Sequence, residues 1–465
     1  MASPERLFDM MLPTLGWLKA ETSSESELPE NAPLHVSIDS RKIQPGETFW
    51  ALSGTRDGHE FVEQAIRAGA AAAVVKRSFS AGDPDIDSKL IAVDDPMCAL
   101  TELARRWRQA LKCRALGLTG SVGKTTTKDF TLAAFANEQG VFATHGNFNN
   151  EIGVPLTILR TPRDAALLIC EMGAARIGDI AHLCSVALPD SGLVTAIADA
   201  HTESFGSIEN VMRGKGELYD FVARRGTAFV PTEDMRCVQA STACTKKIGY
   251  GFHSQPNDWE SGYVQGKELL FDDEACANFV ALGERIKLCV PGRPAAKAAL
   301  AAMTIALHHG IAPHVAAQNI SAARPASGRA SVKKAGDVTI IDDSYNANPA
   351  SMRAALETLS LRRAGRKVVI LGDMLELGEI SDIAHREVVE ELDHAGVSLA
   401  VLIGPRMSHV AAASIVMTQL RIYPTVEQAL PTLSQLVKPG DLVLVKASRG
   451  MALDRAVKRI EEQFS

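Results

Sequence analysis

The sequence predicts an α/β protein of three domains: a small N-terminal α/β domain, a central domain with a mainly parallel sheet and a phosphate-binding loop, and a Rossmann-like C-terminal domain. Three observations predict it. Short apolar runs of strand length alternate with stretches of helical periodicity, the pattern of parallel strands joined by crossover helices. A glycine- and threonine-rich run, Gly117 to Thr127, stands between an apolar strand candidate and a helix. After an alanine-rich helix, the alternation restarts from Ala326. A length of 465 residues exceeds one ordinary core and suggests about three domains. The divisions are expected at 1–110, 111–325 and 326–465.

Along the first domain, a polar stretch from Glu21 to Pro33 precedes strand candidates at Leu34 to Ile38 and Thr48 to Leu52. Helical periodicity follows in Phe61 to Ala68, then apolar runs at Ala70 to Val75 and Leu90 to Val93, then a charged helix near Thr101 to Leu111. The central region offers strands at Ala115 to Leu118, Ala165 to Cys170 and Leu193 to Ile197, with helices after the glycine-rich run and near Ile177 to Cys184. Residues Gly251 to Phe271 are polar and glycine-rich and are expected to form an irregular meander before a helix from Ala295 to Leu307. In the last region the strands are Val338 to Ile341, Lys367 to Leu371, Leu399 to Ile403 and Leu442 to Val445. No Gly-x-Gly-x-x-Gly follows any of them, which disfavours dinucleotide binding.

Composition narrows the class. Hydrophobic residues make up 46%, yet no segment is long and apolar enough to span a bilayer, so no stable membrane insertion is expected. The first ten residues carry Glu5, Arg6 and Asp9 and lack the apolar core of a signal peptide, which points to the cytoplasm. Eight cysteines without Cys-x-x-Cys spacing read as reduced thiols. A net charge of -6 gives no general pull toward nucleic acid and suits small phosphorylated ligands better than polyanions.

In the glycine-rich run, Gly120 and Gly123 let successive N-H groups of Gly120, Ser121, Val122 and Gly123 turn toward phosphate oxygens. Lys124 adds a point charge, and the hydroxyl of Thr125, followed by Thr126, can reach a nucleotide-bound Mg2+. The glycine usual five residues before Gly123 is Leu118 here, so the loop is a variant form. Ligands in an open parallel sheet collect at the carboxyl ends of strands, where Glu171 stands as either a metal-linked or a solvated carboxylate. His201 follows the next strand. Mg2+ prefers oxygen, so Asp199 is the simpler ligand and His201 reads first as an ordinary histidine. Lys215 lies in a helix, where a solvated lysine is the default; it becomes an anion only if its neutral amine reacts with carbon dioxide. Asn147, Asn149 and Asn150 cluster amides near a loop that turn chemistry alone can explain. The run Asp342 to Pro349, with Asp343, Tyr345, Asn346 and Asn348, leaves a buried strand and suits either a ribose or phosphate contact or a helix cap.

Together these segments resemble the Mur ligase family of bacterial cell-wall synthesis over nearly the whole chain. The marks are Thr119 to Thr126, Gly146 to Pro155, Glu171 to Ala174, Lys215 to Glu217, Asp342 to Pro349, Leu371 to Gly378 and Val445 to Arg449. The resemblance implies an ATP- and Mg2+-dependent amide ligase that joins D-alanyl-D-alanine to a UDP-N-acetylmuramoyl-tripeptide through an acyl phosphate. It also implies that Glu171 and His201, with Thr125, hold Mg2+, and that Lys215 is carbamylated and positions a second Mg2+. Arg329 is expected to reach the ATP phosphates and Asp343 the ribose. Ser40, Arg41 and His59 are expected to grip the uridine nucleotide, with Asn147, Asn149, Asn150, Tyr345, Asn346 and Asn348 facing substrate. A monomer is expected. One segment departs: where the family has His-Asn and a further Asn after Pro291-Gly292-Arg293, this chain has Pro294, Ala295 and Ala298, which puts the adenine contacts in doubt. A ligase of the family with another acceptor, a polyglutamate synthase, or a nucleotide-switched regulatory ATPase are the alternatives.

Overall fold

The computed structural model describes residues 12–22, 32–253, 259 and 262–464. The first ten residues and most of the polar stretch from Glu21 to Pro33 lie outside them. The fold is α/β with three sheets that follow one another along the chain.

The first sheet runs β1 (Val36–Ser37), β2 (Thr48–Trp50), β3 (Ala72–Lys76), β4 (Leu90–Val93), every neighbouring pair parallel. The helix after it spans Pro96–Ala110 and starts five residues before the expected Thr101. Asp95 accepts from the N-H groups of Met97 and Cys98, and Pro96 fills the first helical position, a start signal independent of hydrophobic period. Leu100, Leu103, Ala104 and Trp107 form its buried stripe.

The second sheet has nine strands: β5 (Arg114–Thr119), β6 (Val141–Ala143), β7 (Leu167–Glu171), β8 (Ser191–Val194), β9 (Thr227–Pro231), β10 (Lys247–Gly251), β11 (Tyr263–Phe271), β12 (Cys276–Ala281) and β13 (Glu284–Pro291). Their order is β13-β12-β11-β10-β9-β8-β5-β7-β6. The pairs β6/β7, β9/β10 and β10/β11 are parallel, whereas β11, β12 and β13 form an antiparallel meander. The irregular stretch expected over Gly251 to Phe271 is thus corrected in its second half, where β11 is a nine-residue strand. Its polar composition reflects a strand with one solvated face. A register shift between Lys267 and Leu270, with Glu268 at φ +51°, breaks the alternation that would have marked it.

The third sheet contains β14 (Ser331–Ala335), β15 (Val338–Asp342), β16 (Arg366–Gly372), β17 (Leu399–Ile403), β18 (Gln419–Tyr423) and β19 (Asp441–Lys446), in the order β14-β15-β19-β16-β17-β18. All pairs are parallel except the β14/β15 hairpin. Val369 and Leu371 pack on one face with Met352, Leu356 and Val388, while Val368 and Ile370 pack on the other with Val457 and Ile460. Burial on both faces makes these strands read as continuous apolar runs.

Two compact units divide the chain. One comprises Met1–Gly117, Glu138–Gly173 and Asp179–Ser191; the other Leu118–Asn137, Ala174–Gly178 and Gly192–Ser465.

Candidate active site

The phosphate loop follows β5 and opens the helix Lys124–Ala134. Gly120 has φ +144°, and a Cβ there would run into the Thr195 hydroxyl, so only glycine fits. Gly123, at φ +81°, precedes the helix in the left-handed region. The turn is stapled to the chain after β8: Ser121 N-H donates to the Ala196 carbonyl at 2.8 Å, and the Ser121 hydroxyl donates to the Ala198 carbonyl at 2.8 Å. Thr195 Oγ1 donates to the Val122 carbonyl at 2.6 Å. Lys124 Nζ donates to the Gly120 carbonyl at 2.6 Å, which folds the lysine over the loop. Thr125 is buried behind it. Leu118, where a glycine is usual, is still inside β5 and fully buried, so the turn begins two residues later and needs no glycine there. Thr195 escaped the sequence reading; the close approach that Gly120 demands is the signal of such a neighbour.

Glu171 is the last residue of β7 and is only 1% exposed. Asn149 Nδ2 donates to its Oε1 at 2.8 Å, and its own N-H donates to Thr144 Oγ1 at 3.0 Å. Gly173 N-H donates to the Asn149 carbonyl at 2.7 Å, so the loop and the strand end hold each other. A buried, oriented carboxylate replaces the solvated alternative. Asn150 Oδ1 accepts from Gly153 N-H at 2.9 Å at the start of the helix Gly153–Leu159, while Asn147 is exposed.

Lys215 sits in the helix Ile208–Val222 and is 1% exposed, against the solvated default. Its Nζ lies 3.5 Å from the Ala174 carbonyl and 5.5 Å from the centre of the Phe205 ring. The signal was present: Val211, Lys215, Leu218 and Val222 share the buried stripe of this helix, so the lysine occupies a core position. His201, at φ +55°, places Nδ1 2.5 Å from Glu376 Oε2. Burial, with the nearby charges of Lys215 and Lys124, holds its pKa below the ordinary histidine value against the pull of Glu376. A neutral ring retains a lone pair for a metal or a proton. Among the described residues no cluster of three or more His, Cys, Asp or Glu side chains stands ready for a metal. The Glu171 carboxylate is a hard donor of the kind Mg2+ takes, since that ion usually binds one or two carboxylates and completes its shell with phosphates and water.

In the C-terminal region Asp343 is engaged on both oxygens: Oδ1 accepts from Ala330 N-H at 3.0 Å and Oδ2 from Lys446 Nζ at 2.6 Å. Lys446 also reaches the Asn346 carbonyl at 2.9 Å. Lys446 therefore braces the Asp343 carboxylate, a role its place in the Val445 to Arg449 run does not reveal. Arg329 lies 4.1 Å above the Tyr345 ring, and Arg449 donates to the Tyr345 hydroxyl at 3.1 Å. Asn348 caps the helix Pro349–Leu361, its Oδ1 accepting from Ser351 N-H, as the cap reading expects. Its Nδ2 meanwhile donates to the Ser121 carbonyl of the phosphate loop at 3.3 Å. Asn346 is exposed. Thr126, Asp129, Phe130, Val290, Arg324 and Arg329 line a cleft beside the phosphate-loop helix. Ala295 and Ala298 of the helix Arg293–His308 are buried.

In the first domain His59 Nε2 accepts from Lys76 N-H at 2.9 Å, so its proton is on Nδ1 and is shared with Asp57 Oδ1 at 2.7 Å. Arg41 lays its guanidinium across Asp39 at 2.8 and 2.9 Å, and the Ser40 hydroxyl donates to Gln64 at 3.2 Å. These side chains brace their own loops in this state.

A glycine turn of this kind between a strand and a helix is the mark of enzymes that bind a nucleoside triphosphate, and the chain belongs to the Mur ligase family. Residues 34–108 match the Mur ligase family catalytic domain, 118–306 the Mur ligase middle domain and 328–449 the Mur ligase glutamate ligase domain. The chain is similar over most of its length to the UDP-N-acetylmuramoyl-tripeptide–D-alanyl-D-alanine ligase of Bacillus subtilis (strain 168), with 34% identity over 442 residues, 93% of this chain and 94% of that one. A crystal structure of MurF from Acinetobacter baumannii superposes with a TM-score of 0.86 at 28% identity, over 98% of this chain and 100% of that one. MurF ligase from Thermotoga maritima in complex with ADP gives 0.78 at 28% identity, over 93% and 98%.

Proposed function

We infer that the chain is an ATP-dependent ligase that joins D-alanyl-D-alanine to a UDP-N-acetylmuramoyl-tripeptide in peptidoglycan precursor synthesis. The observation that carries this is the likeness to ligases of that name over 93% of the chain, across all three regions matched by the family. A carboxylate is a poor electrophile, so it must first be phosphorylated. A tripeptide carboxylate oxygen attacks the γ-phosphorus, ADP departs with the bridging oxygen, and an acyl phosphate remains. The amine of D-alanyl-D-alanine then attacks the acyl carbon, loses a proton, and expels phosphate. Lys124 leaves its Gly120 contact to meet the phosphoryl oxygens, and Arg329 adds a second positive charge from the linker. Bound Mg2+ supplies further charge neutralisation. We assign Thr125, Glu171, His201 and a carbamylated Lys215 to hold it, with Asn149 fixing Glu171.

We further propose domains at 1–110, 111–325 and 326–465, a monomer, and action in the cytoplasm. Among the described residues no helix is long and apolar enough to cross a membrane. Ser40, Arg41 and His59 are assigned to the uridine end of the substrate. Asp343 is assigned to the ribose, and Asn147, Asn149, Asn150, Tyr345, Asn346 and Asn348 to the substrate face.

Two measurements test this reading. Offered D-alanyl-D-alanine, diaminopimelate, lysine and glutamate with matched UDP-muramoyl peptides, the enzyme is expected to form an amide only with the dipeptide and tripeptide. Efficient use of another amine would transfer it to a different ligase, and ATP hydrolysis independent of both substrates would favour a nucleotide switch. The second concerns the base. Without the family's asparagines at 295 and 298, we propose that adenine is held by the walls of the cleft around Phe130, Val290 and Arg324. ATP is expected to exceed GTP and UTP in kcat/KM; equal turnover with either would rule out adenine-specific recognition.

A further inference from the structure

The segment Met374 to Gly378 is fixed at both ends. Met374 and Leu377 are buried in the C-terminal core. Met374 N-H donates to Nε2 of the buried His385 at 2.9 Å, and Leu375 N-H donates to Ser448 Oγ at 2.8 Å. Beyond them, Thr202 Oγ1 donates to the Leu377 carbonyl at 2.9 Å and Glu203 N-H to the Glu376 carbonyl at 3.2 Å. Between these anchors Glu376 takes φ +63°, and its partner His201 takes φ +55°. Non-glycine residues seldom hold that conformation, and such strain gathers where a side chain must be aimed. Here two such residues meet side chain to side chain. The contact is not what holds the segment, because Glu376 is 60% exposed and such a pair contributes little in water. The anchors hold the segment, and the segment delivers the carboxylate to Nδ1.

We propose that Glu376 is a positioning residue for the phosphoryl-transfer site. Its carboxylate accepts a hydrogen bond from His201 Nδ1-H, which would fix the ring orientation and leave Nε2 as the lone-pair nitrogen able to serve a nucleotide-bound cation. A carboxylate behind a ligating histidine sets both its tautomer and its direction. The proposal rests on the ligase reading above for its kinetic consequence, but not for the tautomer itself.

Glu376→Gly and Glu376→Gln variants of the full chain separate positioning from support. Glycine relieves the left-handed backbone, so a merely structural residue would lose nothing by the change. Nitrogen-15 spectra of histidine-labelled, ligand-free protein, with His201→Gln to assign the signal, are expected to show the Nδ1-H form in the unsubstituted protein. In Glu376→Gly that preference should be lost without loss of melting temperature. In the same variant kcat should fall about 10–100-fold while KM for the UDP-linked substrate stays near its original value. Glutamine keeps an acceptor oxygen and should restore the tautomer and most of kcat. A Glu376→Gly protein with the Nδ1-H form and kcat intact would overturn the proposal, as would a Glu376→Gln protein no better than the glycine variant. Were the unsubstituted protein to ligate no amine at all, the ligase reading would fail, and the spectra would still decide the pairing.

Discussion

Replacing Lys124 with alanine is expected to abolish ATP-dependent amide formation while leaving the protein folded. The ammonium group donates to the Gly120 carbonyl at 2.6 Å, and it lies over the turn rather than in an apolar core. Its removal spares the elements that shape the turn. Gly120 and Gly123 keep their positive φ, Thr195 still ties down the Val122 carbonyl, and Ser121 still bonds to Ala196 and Ala198. The loss therefore falls on the transition state, in which charge spreads over the phosphoryl oxygens and a preorganised donor contributes most. One such donor is worth about 10²–10³-fold in kcat, and a fixed cation should exceed that. Single-turnover product analysis with matched melting curves checks both halves. Turnover near the original rate would remove Lys124 from the mechanism. A collapse in melting temperature would make it a structural residue.

Much of the fold was open to sequence reasoning where physics leaves a strong local mark. Strands buried on both faces, such as β16 and β17, must be apolar throughout, and the run Leu399 to Ile403 matches its strand residue for residue. Edge strands carry no such mark. β14 reads Ser-Val-Lys-Lys-Ala and β18 Gln-Leu-Arg-Ile-Tyr because one side of each meets solvent. β11 was hidden by its bulge, and β6 is too short, with all three residues half-buried. In the site, the phosphate loop was legible because its turn demands glycine, lysine and threonine in order. Thr144, Thr195 and His385 were not. Each is an ordinary residue whose importance lies in a partner remote in sequence: Glu171 for Thr144, Val122 for Thr195, Met374 for His385. Lys215 is the intermediate case. Its place on an apolar stripe was readable, but a lysine among Arg213 and Glu217 invites the opposite conclusion, and only the fold shows that this face is covered.

That burial sets the second large effect. Lys215→Ala should lose nearly all activity, and short carboxylates should restore part of it. Burial is costly for a charged group, and a lysine at 1% exposure in a core position suits a task that a surface lysine cannot perform. A carbamate formed on Nζ would turn the buried cation into an anion with two oxygens, able to face a cation on the nucleotide. Truncation to alanine removes that anion and opens a space bounded by the Phe205 ring and the Ala174 carbonyl, about where a formate or acetate could sit. The helix should survive, since Val211, Leu218 and Val222 retain its buried stripe and alanine favours helix. Added formate should therefore raise kcat in a saturable way, and acetate less so if the space is tight. Chloride at the same ionic strength should do nothing. Equal recovery with chloride would reduce the effect to general screening, and near-normal activity without any addition would show that no anion is needed at position 215.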